Sequence, residues 1–205
     1  MNKHLLLKWS DGNEKLKKTR TVSFNLPAIK ACPMAGVCAS VCYATQGAYV
    51  YPNVQASRAY NFDIAQHNPG FQDMLIHDLK LIKQSSIRIH DSGDFFNQAY
   101  LNAWIAAMKQ FPDKQFYAYT KSLHLDYSAK PDNFQIVQSV GGKLDHLIDT
   151  SKSHSRIFTD DAARIAAGYE GGNKDDTTAQ LGVIKIGLVY HGKKNLTENQ
   201  KVTFS

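Results

Sequence analysis

The chain has 205 residues, 43% of them hydrophobic, and its 24 Lys and Arg against 18 Asp and Glu give a formal net charge of +6. This length and apolar content allow one domain to bury a core without disulfides. The start of the chain has three consecutive leucines, far fewer than the roughly 20 apolar residues of a membrane span. We therefore expect one domain over residues 1–205, located in the cytoplasm, in which residues 1–20 form a candidate flexible basic segment.

Basic residues cluster at Lys15, Lys17, Lys18 and Arg20, and a smaller cluster lies at Lys193 and Lys194. A basic surface of this kind suits a nucleic acid or another polyanion, but a solvated and functionally neutral segment explains it as well. The composition leaves a small-molecule substrate and a nucleic-acid substrate both open, and it predicts no membrane partner.

The first half of the chain alternates between β-rich and helical patterns. A short strand is predicted at residues 21–26, and the cysteine-rich loop follows it. Apolar residues at helical spacing then predict two helices between residues 53 and 83, with a break at 68–70. The β-branched run at 86–90 predicts a buried strand that ends in turn residues.

The second half continues this alternation. Asn97 is a candidate cap for a helix that runs to about Gln110. Further β-rich runs at 114–120, 134–139 and 183–190 and a helical pattern at 159–169 complete the series. Strands that alternate with helices indicate parallel β/α units. The predicted fold class is α/β, a single domain whose parallel sheet has helices outside and the form of a partial (β/α) barrel.

All three cysteines lie within eleven residues, in the spacing Cys-x5-Cys-x3-Cys formed by Cys32, Cys38 and Cys42. An odd number of cysteines cannot pair completely in disulfides, and a cytoplasmic chain keeps its thiols reduced. Three thiolates from one loop can hold three corners of a 4Fe-4S cluster and leave one iron open to a substrate or cofactor. A zinc site and inert buried cysteines are the alternatives.

Polar residues follow three of the predicted strands, at the edge where ligands of parallel sheets bind. The candidate catalytic residues are His90, Asp94 and Lys121, and the candidate cofactor-binding residues are Ser92, Gly93, Asp94 and Ser139. In the alternative interpretation, Asp91 fixes a turn, Asp94 caps the next helix and Lys121 is solvated.

The polar run at 150–156 contains His154 and Arg156 among several hydroxyl side chains. Its backbone amides, hydroxyls and guanidinium would suit a phosphate or a carboxylate. His154 and Arg156 are therefore further candidate cofactor-binding residues. A polar loop without a ligand explains the run equally well.

The cysteine loop and the runs HDSGDFF, YAYTKS and SHSRIF together resemble the phage gene-product-eighty-eight-type protein family, from about Val22 to Gly192. This resemblance implies a bacteriophage protein that acts in the host cytoplasm, and it implies no particular chemistry.

A more distant likeness is to radical S-adenosylmethionine enzymes, in which three cysteines also follow the first strand and a small-residue motif follows the second. Those enzymes typically use Cys-x3-Cys-x2-Cys with an aromatic residue before the last cysteine, where this chain has Val41. The likeness implies that the open iron binds S-adenosylmethionine and that Ser92 or Asp94 contacts its amine. The residues that would orient its carboxylate or the substrate are Lys121, His154 and Arg156.

These patterns together predict an iron-sulfur protein that binds a 4Fe-4S cluster through three cysteines and acts as a radical S-adenosylmethionine-like enzyme. A non-enzymatic cluster protein with a redox or nucleic-acid-binding role is the first alternative. A zinc-stapled interaction domain is the second.

Overall fold

The computed structural model describes residues 4–190, which form a mixed α/β domain. Its strands are β1 (Trp9–Ser10), β2 (Thr21–Phe24), β3 (Ser86–Ile89), β4 (Gln115–Thr120), β5 (Phe134–Ser139), β6 (His154–Phe158), β7 (Glu170–Gly171) and β8 (Lys185–Val189). Its α-helices are α1 (Glu14–Lys18), α2 (Pro52–His67), α3 (Phe71–Leu81), α4 (Gln98–Met108), α5 (Asp161–Ala166) and α6 (Thr177–Gln180). The basic cluster at Lys193 and Lys194 lies outside the described residues.

One eight-stranded sheet runs through the described residues, in the order β1-β2-β3-β4-β5-β6-β8-β7. Every neighbouring pair is parallel except β1 and β2, which are antiparallel. The predicted α/β class is therefore confirmed, and the sheet is open rather than closed into a barrel, because β1 and β7 end it without pairing with each other. Within the described part of the chain, no helix is long and apolar enough to span a membrane.

The hydrophobic core lies on one face of the sheet, between the strands and helices α2, α3 and α4. Alternate strand residues such as Phe24, Ile87 and Phe116 point to it, as the period of two along a strand requires. Helix α4 contributes Trp104 and Leu101, and Asn97 caps it as predicted by accepting a hydrogen bond from the Tyr100 amide at 2.8 Å. Burial of each large apolar side chain contributes about 1.5–3 kcal/mol.

The opposite face of the sheet combines buried polar groups with a small apolar cluster of Tyr117, Val137, Ala179 and Ile186, and it is covered by α1 and α6. Asp176, fully buried just before α6, lies 2.8 Å from the Arg88 guanidinium of β3 and 2.6 Å from the Lys15 ammonium of α1. The Tyr117 hydroxyl of β4 donates to the same carboxylate at 2.8 Å. Burial alone would raise the pKa of Asp176, but Arg88 and Lys15 lower it below its ordinary value. This ion group joins four segments that are distant in sequence.

The basic segment near the start of the chain is folded, because its apolar residues enter the core. Leu7, Trp9 and Leu16 are buried, and only Lys15 of the basic cluster points inward. Asn13 caps α1, because its side chain accepts a hydrogen bond from the Leu16 amide. The short strand β1, which precedes this helix, pairs with β2.

Strand β6 is an element that the sequence did not reveal, because polar residues fill the run that forms it. It pairs with β5 through two residue pairs, His154 with Gln138 and Ser155 with Ser139, and with β8 over five. The predicted anion-binding loop at 150–156 is therefore partly a strand that joins the two halves of the sheet.

We expect Asp78→Ala to destabilise the fold, because this buried carboxylate holds the N-terminal segment on α3. Asp78 accepts from the Leu6 and Leu7 amides at 2.8 and 2.9 Å and from the Trp9 indole at 2.7 Å. Loss of these acceptors leaves buried donors unpaired and should cost about 2–4 kcal/mol. Urea unfolding measures the change.

The control is Asp73→Ala, which removes an exposed carboxylate from the same helix. It should cost less than about 1 kcal/mol. Equal losses in the two variants would show that the N-terminal segment does not depend on Asp78.

Candidate functional site

The carboxyl ends of β2, β3, β4 and β5 meet at one edge of the sheet, beneath the loop of residues 27–51 that carries the cysteines. We call residues 27–51 the cysteine loop. It consists largely of three short 3₁₀ turns, Val37–Val41, Tyr43–Thr45 and Gly47–Val50. Open α/β sheets bind ligands at this edge, which makes it the candidate ligand site of this domain.

Two tyrosines anchor the cysteine loop to the end of β3. The Tyr49 hydroxyl donates to the Asp91 carboxylate at 2.8 Å, and the Tyr43 hydroxyl donates to the Asp91 carbonyl. The Asp91 amide in turn donates to the Asn25 side chain at 2.7 Å, beyond β2. The Tyr43 ring is 42% exposed although its hydroxyl is buried in this contact, so the ring forms part of the loop's outer surface.

A second anchor joins the cysteine loop to the connection between β5 and β6. The amides of Gly36 and Cys38 both donate to the Gly141 carbonyl at 3.2 Å. A side chain at Gly36 would place its Cβ 2.8 Å from the Gly142 carbonyl carbon, so this close approach requires glycine. The Asp145 carboxylate fixes the glycine side of this contact, because it accepts hydrogen bonds from the amides of Gly141 and Gly142.

All three cysteines are half-buried and free of disulfides. Burial raises the pKa of the Cys32 thiol to about 12, and the nearby Asp94 carboxylate adds to this shift. Burial also raises the pKa of Cys42, although Lys121 and Arg58 oppose the shift. Cys32 and Cys42 are therefore protonated at neutral pH.

Lys121, Ser139 and Asp94 lie together at the ends of neighbouring strands, as the sequence predicted. The Lys121 ammonium donates to the Ser139 hydroxyl at 2.7 Å. The buried Asp94 carboxylate accepts from the Lys121 amide at 2.8 Å and from the Thr120 hydroxyl and the Phe95 amide at 2.6 and 2.7 Å. Burial raises the pKa of Asp94, and these three hydrogen bonds oppose the rise. Asp94 therefore holds the end of β4, and with it Lys121, in place.

Ser92 and Gly93 form a backbone joint between the ends of β2 and β3. The Ser92 hydroxyl donates to the Leu26 carbonyl at 2.7 Å, and the Leu26 amide donates back to the Ser92 carbonyl at 2.9 Å. Gly93 has φ +91°, and a Cβ there would lie 2.6 Å from the Leu26 Cβ. Both residues shape the edge of the sheet, and their predicted contact with a cofactor stays a prediction.

No sequence pattern indicated Arg58, which enters the site from α2. Its side chain is only 8% exposed, and its guanidinium carbon lies 4.5 Å from the centre of the Tyr49 ring. In residues 4–190, Arg58 makes no hydrogen bond and no ion pair. It acts electrostatically on Cys42 and Asp91. We define the carboxyl-edge site by Cys32, Cys38, Cys42, Arg58, Lys121 and Ser139.

His90 lies apart from this site because its side chain turns into the hydrophobic core. Its backbone has φ +69°, and its ring stacks on Tyr100, whose hydroxyl lies 2.8 Å from the His90 Nε2. Burial, and to a lesser extent Arg88, lowers the pKa of His90 to about 3. This imidazole is neutral at pH 7 and enclosed, and its predicted catalytic role stays a prediction.

His154 and Arg156 lie on β6, between β5 and β8 and beside α5. The His154 ring contacts the Lys152 carbonyl at 2.9 Å and the Tyr169 hydroxyl at 3.0 Å. The Arg156 guanidinium lies over the Phe158 ring. Their predicted role in binding a cofactor stays a prediction.

The comparisons with known proteins agree with the resemblance in the sequence. A family model described as "Gene product 88" matches residues 4–201. The chain belongs to the Gene product 88 family. The "Gene 88 protein" of Mycobacterium phage D29 is 28% identical over 196 residues, and that of Mycobacterium phage L5 is 26% identical over 195 residues. Each alignment covers 81% of this chain and 80% of the relative. No solved structure matches the chain significantly.

The prediction that this Gene product 88 family member is an iron-sulfur protein is wrong. Among residues 4–190, no three or more His, Cys, Asp or Glu side chains are grouped so that they could hold a metal ion. The cysteine thiols share one electrostatic neighbourhood but not one coordination sphere, so close spacing in sequence did not become a ligand set. The likeness to radical S-adenosylmethionine enzymes loses its support, and the zinc alternative gains none. Binding of S-adenosylmethionine itself is untested and stays a prediction.

We expect His90→Asn to reduce the acid sensitivity of this Gene product 88 family member. Between pH 6.5 and about 3, the unfolded chain protonates this histidine and the folded chain does not, so stability falls as pH falls. Between pH 7 and pH 5, the free energy of unfolding of the parent should fall by about 2 kcal/mol more than that of the variant. Asn tolerates the positive φ of this position.

Urea unfolding at pH 7, 6 and 5 measures the difference between the two proteins. The other histidines are common to both proteins and cancel in the comparison. Parallel pH profiles would contradict the assignment of His90 as a buried neutral side chain.

Proposed function

We propose that the protein binds a small anionic molecule at the carboxyl-edge site, beneath the cysteine loop. The observation that carries this proposal is Arg58, a residue that is 8% exposed and whose guanidinium makes no hydrogen bond or ion pair in residues 4–190. Burial lowers the pKa of Arg58, so its charge lies in a partly desolvated place, and a ligand that brings an anion would offset that cost.

The groups around Arg58 do not meet this need. Stacking on the Tyr49 ring is worth only about 0.5–2 kcal/mol. The acidic group that acts on Arg58 is Asp91, which already accepts from Tyr49 and faces Arg88 at 3.7 Å. The fork of a guanidinium matches the two oxygens of a carboxylate or a phosphate. We therefore assign the open hydrogen-bonding capacity of Arg58 to such a group on the ligand.

Lys121 supports the same ligand class from the other side of the site. It uses one donor on Ser139 and retains two more, and Asp94 fixes its backbone. Lys121 and Arg58 both oppose the rise in the pKa of Cys42, so both cations act on this side of the cysteine loop. In this proposal Ser139 positions Lys121, and the protonated thiols of Cys32 and Cys42 form a neutral polar lining.

We expect Arg58→Gln to weaken ligand binding without harming the fold. Thermal unfolding is followed with inorganic phosphate, pyrophosphate or citrate as probe, and at least one probe should raise the Tm of the parent in a concentration-dependent way. Loss of a bidentate charge-assisted pair should weaken binding of that probe about 10- to 100-fold by calorimetry. Lys121→Gln should weaken it less.

Ligand-free stability separates this proposal from a purely structural role. Because Arg58→Gln removes an unpaired buried charge, its Tm without ligand should equal or exceed that of the parent. Lys109→Gln, which removes an exposed charge at the end of α4 and away from the cysteine loop, should bind the probe as the parent does. The proposal is wrong if no probe raises the Tm of the parent, or if Arg58→Gln binds as tightly as the parent.

A further inference from the structure

A second candidate site lies at the opposite, amino edge of the sheet. Here an open cleft of about 460 Å³ lies between the end of α1 and the connection from α3 to β3. We call it the amino-edge cleft, and its lining residues are Asp11, Lys17, Arg20, Thr21, Lys83, Gln84 and Ser85. Nothing in the proposed function uses this surface.

Three cations from different segments converge on the amino-edge cleft. Lys17 belongs to α1, Arg20 to the turn before β2, and Lys83 to the segment after α3. All three are exposed, and within residues 4–190 none is paired with a carboxylate. Asp11 is the one acidic lining residue, so the cleft has an excess of two positive charges.

Helix α1 sorts the basic cluster into two groups with different roles. Lys15 points inward to Asp176 at 2.6 Å, where it stabilises the fold. Lys17 is left at the surface and lines the cleft. The cluster is therefore more than a solvated run of like charges. The fold neutralises Lys15 and places Lys17 in the same cleft as Lys83.

Arg20 occupies a backbone position at which a glycine would be less strained. Its φ is +51°, in the left-handed region just beyond the end of α1. A left-handed residue at this position is a common way for a helix to end, and here it turns the chain from α1 into β2. This turn brings Arg20 to the lining of the cleft.

We propose that the amino-edge cleft binds the phosphodiester backbone of a nucleic acid without reading its sequence. The cleft is open and has no aromatic lining residue on which a base could stack, so it does not resemble an enclosing nucleotide pocket. Cations and hydroxyls along an open surface suit a chain of phosphates that passes across it. The net charge of +6 favours the same partner.

The test is fluorescence anisotropy with a labelled 20-nucleotide single strand at several salt concentrations, for the parent and for the variant Lys17→Gln/Arg20→Gln/Lys83→Gln. We expect the parent to bind two strands of unrelated sequence equally. The variant should bind at least tenfold more weakly at low salt. Its slope of log affinity against log salt should be about 2 units shallower, because up to three phosphate contacts are lost.

The matched control is Lys30→Gln/Lys143→Gln/Lys152→Gln, which removes three exposed charges that do not line the cleft. It should bind within about twofold of the parent, and circular dichroism should show that both triple variants are folded. An equal loss of strand affinity in the two triple variants would show that only the net charge matters, and it would overturn the proposal. A mononucleotide triphosphate that competes at concentrations as low as those of the oligonucleotide would also overturn it, because the ligand would then be a small phosphate compound.

Because Arg58→Gln leaves the amino-edge cleft intact, it should bind the strand as the parent does. Failure of this proposal therefore does not affect the carboxyl-edge site, and the reverse is also true.

Discussion

The buried carboxylate of Asp176 holds two cations from distant parts of the chain, and both candidate sites depend on that arrangement. On one side, Lys15 fixes the orientation of α1, which places Lys17 at the amino edge of the sheet. On the other side, Arg88 extends from Asp176 toward Asp91, where the two tyrosines of the cysteine loop are attached. A charge group of this kind costs desolvation energy, and its complete pairing keeps that cost tolerable.

The two faces of the sheet therefore do different work. One face buries aromatic and aliphatic side chains against α2, α3 and α4 and supplies most of the stability. The other carries hydroxyls, a guanidinium and tyrosine hydroxyls, which position α1 and α6 through directional contacts. Directional contacts specify one arrangement, whereas apolar packing tolerates several, so the polar face suits the task of fixing site residues.

The sequence revealed the elements whose hydrophobic period is regular. Strands β2 to β5 and helices α2 to α4 follow from apolar spacing and from the cap at Asn97, because local pattern and burial agree there. Strand β6 escaped notice because its polar residues are buried only through tertiary contacts. The iron-sulfur prediction was wrong for a related reason, because the spacing of the cysteines along the chain does not fix the positions of their thiols in space.

The site residues also differ in how far local sequence pattern predicts their positions. Lys121, Ser139 and Asp94 were predictable because they follow strands whose carboxyl ends must meet. His90 ends the same kind of strand, but a single left-handed residue turns its ring into the core. Arg58 could not have been found, because its unpaired state is visible only when every neighbour is placed.

The outer strands of the sheet, β1 and β7, are each only two residues long. Exposed backbone amides and carbonyls at a sheet margin are templates on which other chains add strands and aggregate. Margins this brief leave too few such groups for a stable ladder, so the described domain is protected from edge-to-edge assembly.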